Sequence, residues 1–231
     1  MPIYGLFGGP RRLPARAVRA LADLDGLSSS PERGRWSWQH GDLALAAWFH
    51  EAGHSLGFDV LHLVEWDLLL LEPLETLYAS VPEGTVGLTA LTPISKLEQE
   101  WTWLRRETSR REWDALLAHA RTEWGYDEIP YGCLGPGPCF PRSFLEAYAA
   151  IDPPLLGNDE LRLPLFAQIL GFALADTRLR SPWRGEREHP LFHFRAEDVD
   201  LKTIRAELAK PNGWRAFHPV RVRIDPEMIL A

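Results

Sequence analysis

The stretch Phe58–Pro73, FDVLHLVEWDLLLLEP, decides how the rest of the chain is read. An apolar run from Val60 to Leu71 is interrupted at its centre by Glu65-Trp66-Asp67. A run this apolar, without polar alternation, predicts a strand buried on both faces. Side chains alternate along a strand, so Glu65 and Asp67 leave it on the same side, and two carboxylates so placed can hold a divalent cation. A rival signal lies just upstream. His50-Glu51-Ala52-Gly53-His54 fits the HExxH pattern, in which two imidazoles one helical turn apart bind zinc and the glutamate activates a water.

Working back towards the amino end, Arg35–His40 (RWSWQH) alternates polar and aromatic residues, which predicts a strand. Gly41-Asp42 then turns the chain, with Asp42 as N-cap of a helix whose apolar stripe is Leu45, Trp48, Phe49, Ala52 and Leu56, ending near Gly57. Ser28-Ser29-Ser30-Pro31 reads as a loop, Leu13–Leu24 as a helix, and Pro2–Phe7 as a strand that ends in a Gly8-Gly9-Pro10 turn. Strand, helix, strand, helix, strand predicts an α/β fold with a mostly parallel central sheet and helices on both faces. In such sheets ligands bind beyond the carboxyl ends of the strands. Gly8-Gly9, His40-Gly41-Asp42 and Glu65-Trp66-Asp67 all fall there.

Downstream, Leu74–Ser80 reads as a short helix, Thr85–Leu91 as a strand and Leu97–Trp124 as a partly exposed helix with a solvated face of mixed charge. GCLGPGPCF, residues 132–140, reads as a Gly/Pro-rich loop. Ser143–Ala150 and the segment from Asn158-Asp159-Glu160 to about Phe172 read as helices.

Length and composition narrow the function. At 231 residues and 45% hydrophobic content, one domain with a sizeable core, spanning residues 1–231, is expected. A net charge of −7 argues against a nucleic-acid partner, because phosphate neutralisation needs clustered Lys and Arg. Cys133 and Cys139 are too few for a disulfide framework, so free thiols and a cytoplasmic location are expected. No apolar run reaches the length of a membrane span. Oligomeric state leaves no mark in the sequence.

HEAGHSLG, residues 50–57, resembles the start of the metzincin peptidase pattern, but Val60 occupies the third ligand position and cannot bind metal. The Met-turn is lacking as well, since the methionines are Met1 and Met228. Residues 125–132, GYDEIPYG, loosely resemble the second motif of the aspzincin peptidases, with the Asp-to-Tyr spacing one residue too long. The zinc-peptidase reading therefore stands as an alternative without a third ligand.

VLHLV followed by Glu65-Trp66-Asp67 resembles the nucleotide-sugar glycosyltransferases of the A-type (GT-A) fold, whose Asp-x-Asp motif ends a central strand and holds Mn²⁺ or Mg²⁺ against the donor diphosphate. The resemblance implies a Rossmann-like GT-A fold and a sugar transferred from a nucleotide-sugar donor to a small-molecule, glycan or protein acceptor. It implies Asp67 as direct metal ligand and Glu65 reaching the metal through water or the ribose hydroxyls. Trp66, Tyr4, Phe7, Gly8, Gly9 and Asp42 would face the donor. Residues 132–148 look like the Gly-rich acceptor-side segment and Asn158–Arg162 like the Glu-Asp motif of inverting members, which makes Asp159 the expected general base with Glu160 second. A late histidine serves some members as a metal ligand, with His218 preferred here over His193. A non-catalytic nucleotide-sugar-binding module of the same fold is the second alternative.

Overall fold

The computed structural model describes residues 1–9, 24–98, 101–180, 190–222, 224 and 227. The helix expected over Leu13–Leu24 lies almost wholly outside them. Strand β1, Tyr4–Phe7, pairs in parallel with β2, Gly26–Ser29, in a two-stranded sheet of its own. The serines expected in a loop thus close a strand. Arg35–Gln39, expected as a strand, is helix α1. Its aromatics do not alternate into a core: Trp36 reaches His40 one turn on, with rings 5.2 Å apart, while Trp38 reaches across to Trp103 at 5.7 Å. No residue of α1 is buried, so the period-2 pattern had no buried face to serve.

Helix α2, Gly41–Glu51, buries Ala44, Leu45, Trp48 and Phe49. It stops before the end of HEAGH. Ala52 leaves helical geometry at φ −133°, and His54 sits in a separate 3₁₀ turn, Gly53–Ser55, with Nδ1 3.3 Å from the Phe49 carbonyl. His50 and His54 therefore do not share the continuous helix face that zinc coordination by HExxH requires.

Strand β3 covers only Val60–His62, and Glu65-Trp66-Asp67 forms the turn beyond it, closed by a Leu68 N–H to Glu65 carbonyl bond of 3.0 Å. Strand β4, Leu69–Leu70, and helix α3, Leu74–Leu77, follow. Strand β5 is Val86–Pro93. The expected single helix over Leu97–Trp124 is α4, Thr102–Arg105, and α5, Glu107–Trp124, separated by an extended Arg106. Helix α5 buries Trp113, Leu116 and Ala120 on one face and ends at Gly125, whose φ of 64° suits a residue without a Cβ.

The largest departure is at residues 131–141. Tyr131–Pro141 is strand β6, not a loop, and it lies between β3 and β5 in a four-stranded sheet of order β3-β6-β5-β7, where β7 is Leu174–Asp176. Strand β6 is antiparallel to both neighbours, and β5 and β7 are parallel, so the expected mostly parallel sheet is a mixed, mostly antiparallel one. Pro136 and Pro138 cannot donate to a ladder. The strand accommodates them in a bulge: Gly87 opposes Cys139 but Thr89 opposes Leu134, leaving residues 135–138 out of register. Leu63 N–H bonds the Pro138 carbonyl at 2.9 Å and the Tyr78 hydroxyl donates to the Gly137 carbonyl at 3.0 Å, which fixes the bulge on both sides.

Helices α6, Arg142–Ala149, and α7, Asp159–Ile169, close the main core, in which Phe140, Phe144 and Tyr148 stack at 5.5 and 5.3 Å. Helix α7 is buried from Leu161 to Ala167 and contains Pro164. A proline removes the N–H that would bond the carbonyl four residues back. That carbonyl belongs to Glu160, and the Cys133 thiol takes it instead at 3.5 Å. Both cysteines are free and buried, as expected. Helix α8, Leu201–Leu208, and strand β8, Ala216–Phe217, follow, with β8 antiparallel to β4. No helix among the described residues is long and apolar enough to cross a membrane.

Asp42 is neither the N-cap of α2, a place taken by His40, nor exposed to a ligand. It is buried against Arg162 of α7, whose Nε and Nη2 donate to its two oxygens at 2.7 and 2.6 Å, and the Tyr148 hydroxyl adds a third bond at 2.5 Å. This two-pronged pair ties α2, α6 and α7 together. Breaking one side of a buried pair leaves the other charge without compensation. Arg162→Met is expected to lower unfolding free energy by about 3–5 kcal/mol in a denaturant titration, and Asp42→Leu added to it to recover a large part of the loss.

Candidate functional site

The turn after β3 keeps the alternation of a strand: Trp66 projects outwards at 78% exposure, while Asp67 points in and is buried. The pairing of β4 with β8 then brings a distant segment alongside. Leu69 opposes Phe217, and the Val220 N–H bonds the Asp67 carbonyl at 2.8 Å, so His218 comes to rest beside the two carboxylates. Its Nε2 is 3.5 Å from Asp67 and 3.8 Å from Glu65. One ligand atom from each of Glu65, Asp67 and His218 lies within 4.8 Å of the other two. Among the described residues this is the group of His, Cys, Asp and Glu side chains close enough to hold an ion, and neither His50 nor His54 belongs to it.

His218 is set in one tautomer. Its Nδ1 is 2.8 Å from the His193 carbonyl, which can only accept, so Nδ1 carries the proton and donates. The other ring nitrogen, Nε2, thereby faces Glu65 and Asp67, where it offers a lone pair to a cation or, in the doubly protonated ring, an N–H to the carboxylates. A lone pair facing two carboxylates is repulsive unless a cation or proton lies between them, and a backbone carbonyl fixing the far nitrogen is the usual support of a metal-binding histidine. His193 supplies that carbonyl rather than a ligand: its ring is buried, with Nδ1 accepting from the Arg195 N–H at 3.2 Å.

Charge around the cluster is divided. Burial acts to raise the Asp67 carboxyl, but the hydrogen bond and charge of His218, with Arg221 3.4 Å away, outweigh it and hold Asp67 below the usual carboxylate range. Burial, together with the charges of Asp67 and Glu160, pushes Glu65 up to about 7 against the opposing pull of His218.

Glu160 approaches from the other side of the β6 bulge. A Cβ built on Gly135 would lie 2.9 Å from Glu65 Oε1 and 3.8 Å from Glu160 Oε1, so Gly135 separates the two carboxyls with no room for a side chain. Its own N–H donates to Glu160 Oε1 at 2.9 Å, while Trp103 Nε1 and Asn158 Nδ2 donate to Oε2 at 2.6 and 3.3 Å. Burial pushes Glu160 up to about 7 even against these three donors.

Asp159 is engaged differently. Its oxygens accept from the Gly41 and Glu160 N–H groups at 3.1 and 2.9 Å, which joins the start of α2 to the start of α7. Burial first, then the nearby Asp42 and Glu160, raises its carboxyl well above the ordinary value. The structure thus brings together Glu65, Trp66, Asp67, His218 and Glu160 and gives Asp159 a bracing position.

The other expected donor contacts lie elsewhere. Tyr4 packs on Trp48 at 6.2 Å, and Gly8 and Gly9 lie against Ser37, Phe7 and Arg33. These contacts do not run to Glu65 or Asp67, and Asp42 is committed to Arg162. Sequence reasoning missed Gly135, Trp103, Asn158 and Arg221. For Gly135 the signal was available, since a glycine just before a proline, in a strand-length segment bounded by Cys133 and Cys139, marks a close approach as well as a turn.

No family model, curated protein or solved structure matches this chain.

Two outcomes follow from the geometry. A cation binds the ionised form of Glu65, so Mn²⁺ affinity measured by calorimetry is expected to rise from about pH 6 to about pH 8, with proton release on binding. Gly135→Ala puts a methyl against Glu65 Oε1 and is expected to weaken Mn²⁺ binding about 10- to 100-fold, the range seen when the support of a ligand is disturbed.

Proposed function

We propose that the protein is a metal-dependent glycosyltransferase that moves a sugar from a nucleoside diphosphate donor to a hydroxyl acceptor. The observation that carries this reading is the Glu65–Asp67–His218 cluster, with His218 Nε2 turned towards the carboxylates. One imidazole and two carboxylates suit Mn²⁺ better than Mg²⁺ or Ca²⁺, which favour oxygen alone. A cation held there would neutralise charge on the departing diphosphate. In support of a site at a sheet edge, β3, β5 and β7 run one way with β6 reversed among them, and the cluster stands just past the carboxyl end of β3.

Each side chain has a part in this reading. Asp67 and His218 hold the cation, and Glu65 joins them on losing its proton. Arg221, exposed beside Asp67, is placed to meet a phosphate oxygen. Trp66 offers an exposed ring for a base or sugar face. Glu160, rather than Asp159, is the general base, because it lies across Gly135 from Glu65, whereas Asp159 is spent bracing the start of α2 through the Gly41 N–H. The acceptor O–H proton passes to Glu160, the acceptor oxygen bonds the anomeric carbon, and the bond from that carbon to the phosphate oxygen breaks with its electron pair leaving on the diphosphate. A carboxyl titrating at about 7 is tuned for this exchange near neutral pH.

The reading is tested by thermal shift with UDP, GDP, CDP, ADP and TDP, each with and without Mn²⁺. One nucleotide is expected to stabilise the protein only with the metal, by about 2.7 kcal/mol at a hundredfold excess over its Kd. The gain should vanish in Asp67→Asn and His218→Ala. Turnover of the matching nucleotide-sugar should fall about 100-fold or more in Glu160→Gln while nucleotide binding stays. Stabilisation by metal and nucleotide without turnover of any sugar donor would point to a binding module instead.

A further inference from the structure

Behind Glu160 lies a pocket of about 200 Å³ that the reaction above does not use. It shares two walls with the catalytic carboxyl, because Trp103 and Asn158 both line it and both donate to Glu160 Oε2. His40 lines it as well. Its Nδ1 lies 3.1 Å from Arg162 Nη2, and a guanidinium only donates, so Nδ1 accepts and Nε2 bears the proton. The pocket thus has an N–H donor in His40. It also has an orphan acceptor. Asn158 stands at the N-cap of α7, where asparagine ordinarily gives its side-chain oxygen to a helix N–H, but it makes no such bond. With Nδ2 turned to Glu160, the buried Oδ1 has no partner. Buried polar atoms without partners are uncommon and ask for one.

The rest of the lining sets the ligand class. Trp103 gives a ring face extended by the exposed Trp38, with rings 5.7 Å apart, and Leu155 and Leu161 add apolar surface. Burial first, then the Arg162 charge, lowers the His40 pKa, and the one acidic or basic side chain besides His40 in the lining is Glu112, so an anionic ligand meets a like charge and no counter-charge, while hydroxyls can donate to the Glu112 carboxyl. The volume corresponds to roughly seven molecules of liquid water, too small for a peptide strand. A neutral ring with one apolar face and hydroxyls at its edge fits these limits.

We propose that this pocket is the acceptor subsite and that it takes a single neutral pyranose ring, stacked on Trp103, accepting from His40 Nε2–H and donating a hydroxyl to Asn158 Oδ1. The acceptor of the reaction is then a glycan or glycoside, not a protein side chain alone. This rests on the transferase reading for its role as acceptor, though not for binding itself. A ring seated here lies against Trp103 and Asn158, the two side chains that hold Glu160 Oε2, so the next unit of a glycan bound here is the one that extends towards Glu160.

The test uses the full chain and saturation-transfer NMR with the methyl glycosides of glucose, galactose, mannose and N-acetylglucosamine. At least one is expected to receive saturation from the wild-type protein. Ser109→Trp and Leu155→Trp each place an indole at a lining position, and neither residue bonds Glu160 or belongs to the cation cluster. Each should abolish the transfer while leaving the Mn²⁺-dependent nucleotide stabilisation unchanged. Failure of all four glycosides to bind, or transfer undiminished in both filled variants, overturns the proposal. Glycoside binding lost in both variants, in a protein that no nucleotide stabilises, would uphold the pyranose pocket and sink the transferase reading.

Discussion

A strand that carries two prolines through the middle of a sheet sets the terms for this molecule. Strand β6 has hydrogen-bonded neighbours on both sides, and Pro136 and Pro138 withdraw two donors from it. The bulge over residues 135–138 resolves the conflict, and its consequences reach well beyond the sheet. Gly135 is lifted out of register into the gap between two carboxyls, with its N–H free to serve Glu160. Gly137, at φ 82°, packs against Leu179, Leu68 and Tyr78, where a Cβ would have no room. What looks like a defect in pairing is the surface on which Glu65 and Glu160 meet.

The approach of so many acids is balanced from its two ends, by a buried guanidinium at one and a buried imidazole with an exposed arginine at the other. The charges of Asp42 and Glu160 raise the Asp159 carboxyl, and those of Asp67 and Glu160 raise Glu65, in a row running from the core outwards. Arg162 balances the inner end and His218 with Arg221 the outer end. The middle of the row has only neutral donors, backbone, indole and amide N–H groups, and burial there raises both Asp159 and Glu160. Positive charge at the ends with neutral donors at the centre leaves the middle groups ready to exchange protons, and the outer pair ready to accept a cation.

The candidate site was more legible in the sequence than the sheet was. Glu65, Asp67, His218 and Glu160 could be singled out because each is a polar residue where local pattern asks for something else: a carboxylate pair in an apolar run, an acidic doublet at a helix start, a late histidine beside a strand. Their spatial meeting depends on β4 pairing with β8, which no periodicity in two-residue strands could announce. The orientation of the sheet was hidden for a related reason. GCLGPGPCF has the composition of a loop, and only tertiary pairing on both sides makes it a strand. RWSWQH failed in the opposite sense, since an alternation without a buried face carries no strand signal. HEAGH matched a zinc pattern by letter while Ala52 and Gly53 ended the helix beneath it.

The two rungs between β4 and β8 have a consequence for how the site opens and closes. They are the short link through which His218 is docked against Asp67, with Phe217 and Ile204 forming a small core separate from the main one. Few buried contacts mean a low free energy of local opening, so this segment can come away while the four-stranded sheet stays folded. A cation bound by Glu65, Asp67 and His218 holds both sides of that link at once. It would therefore act as a removable clasp: slower amide exchange across residues 216–220 with metal present, and a late segment of the chain whose attachment is set by the metal concentration around it.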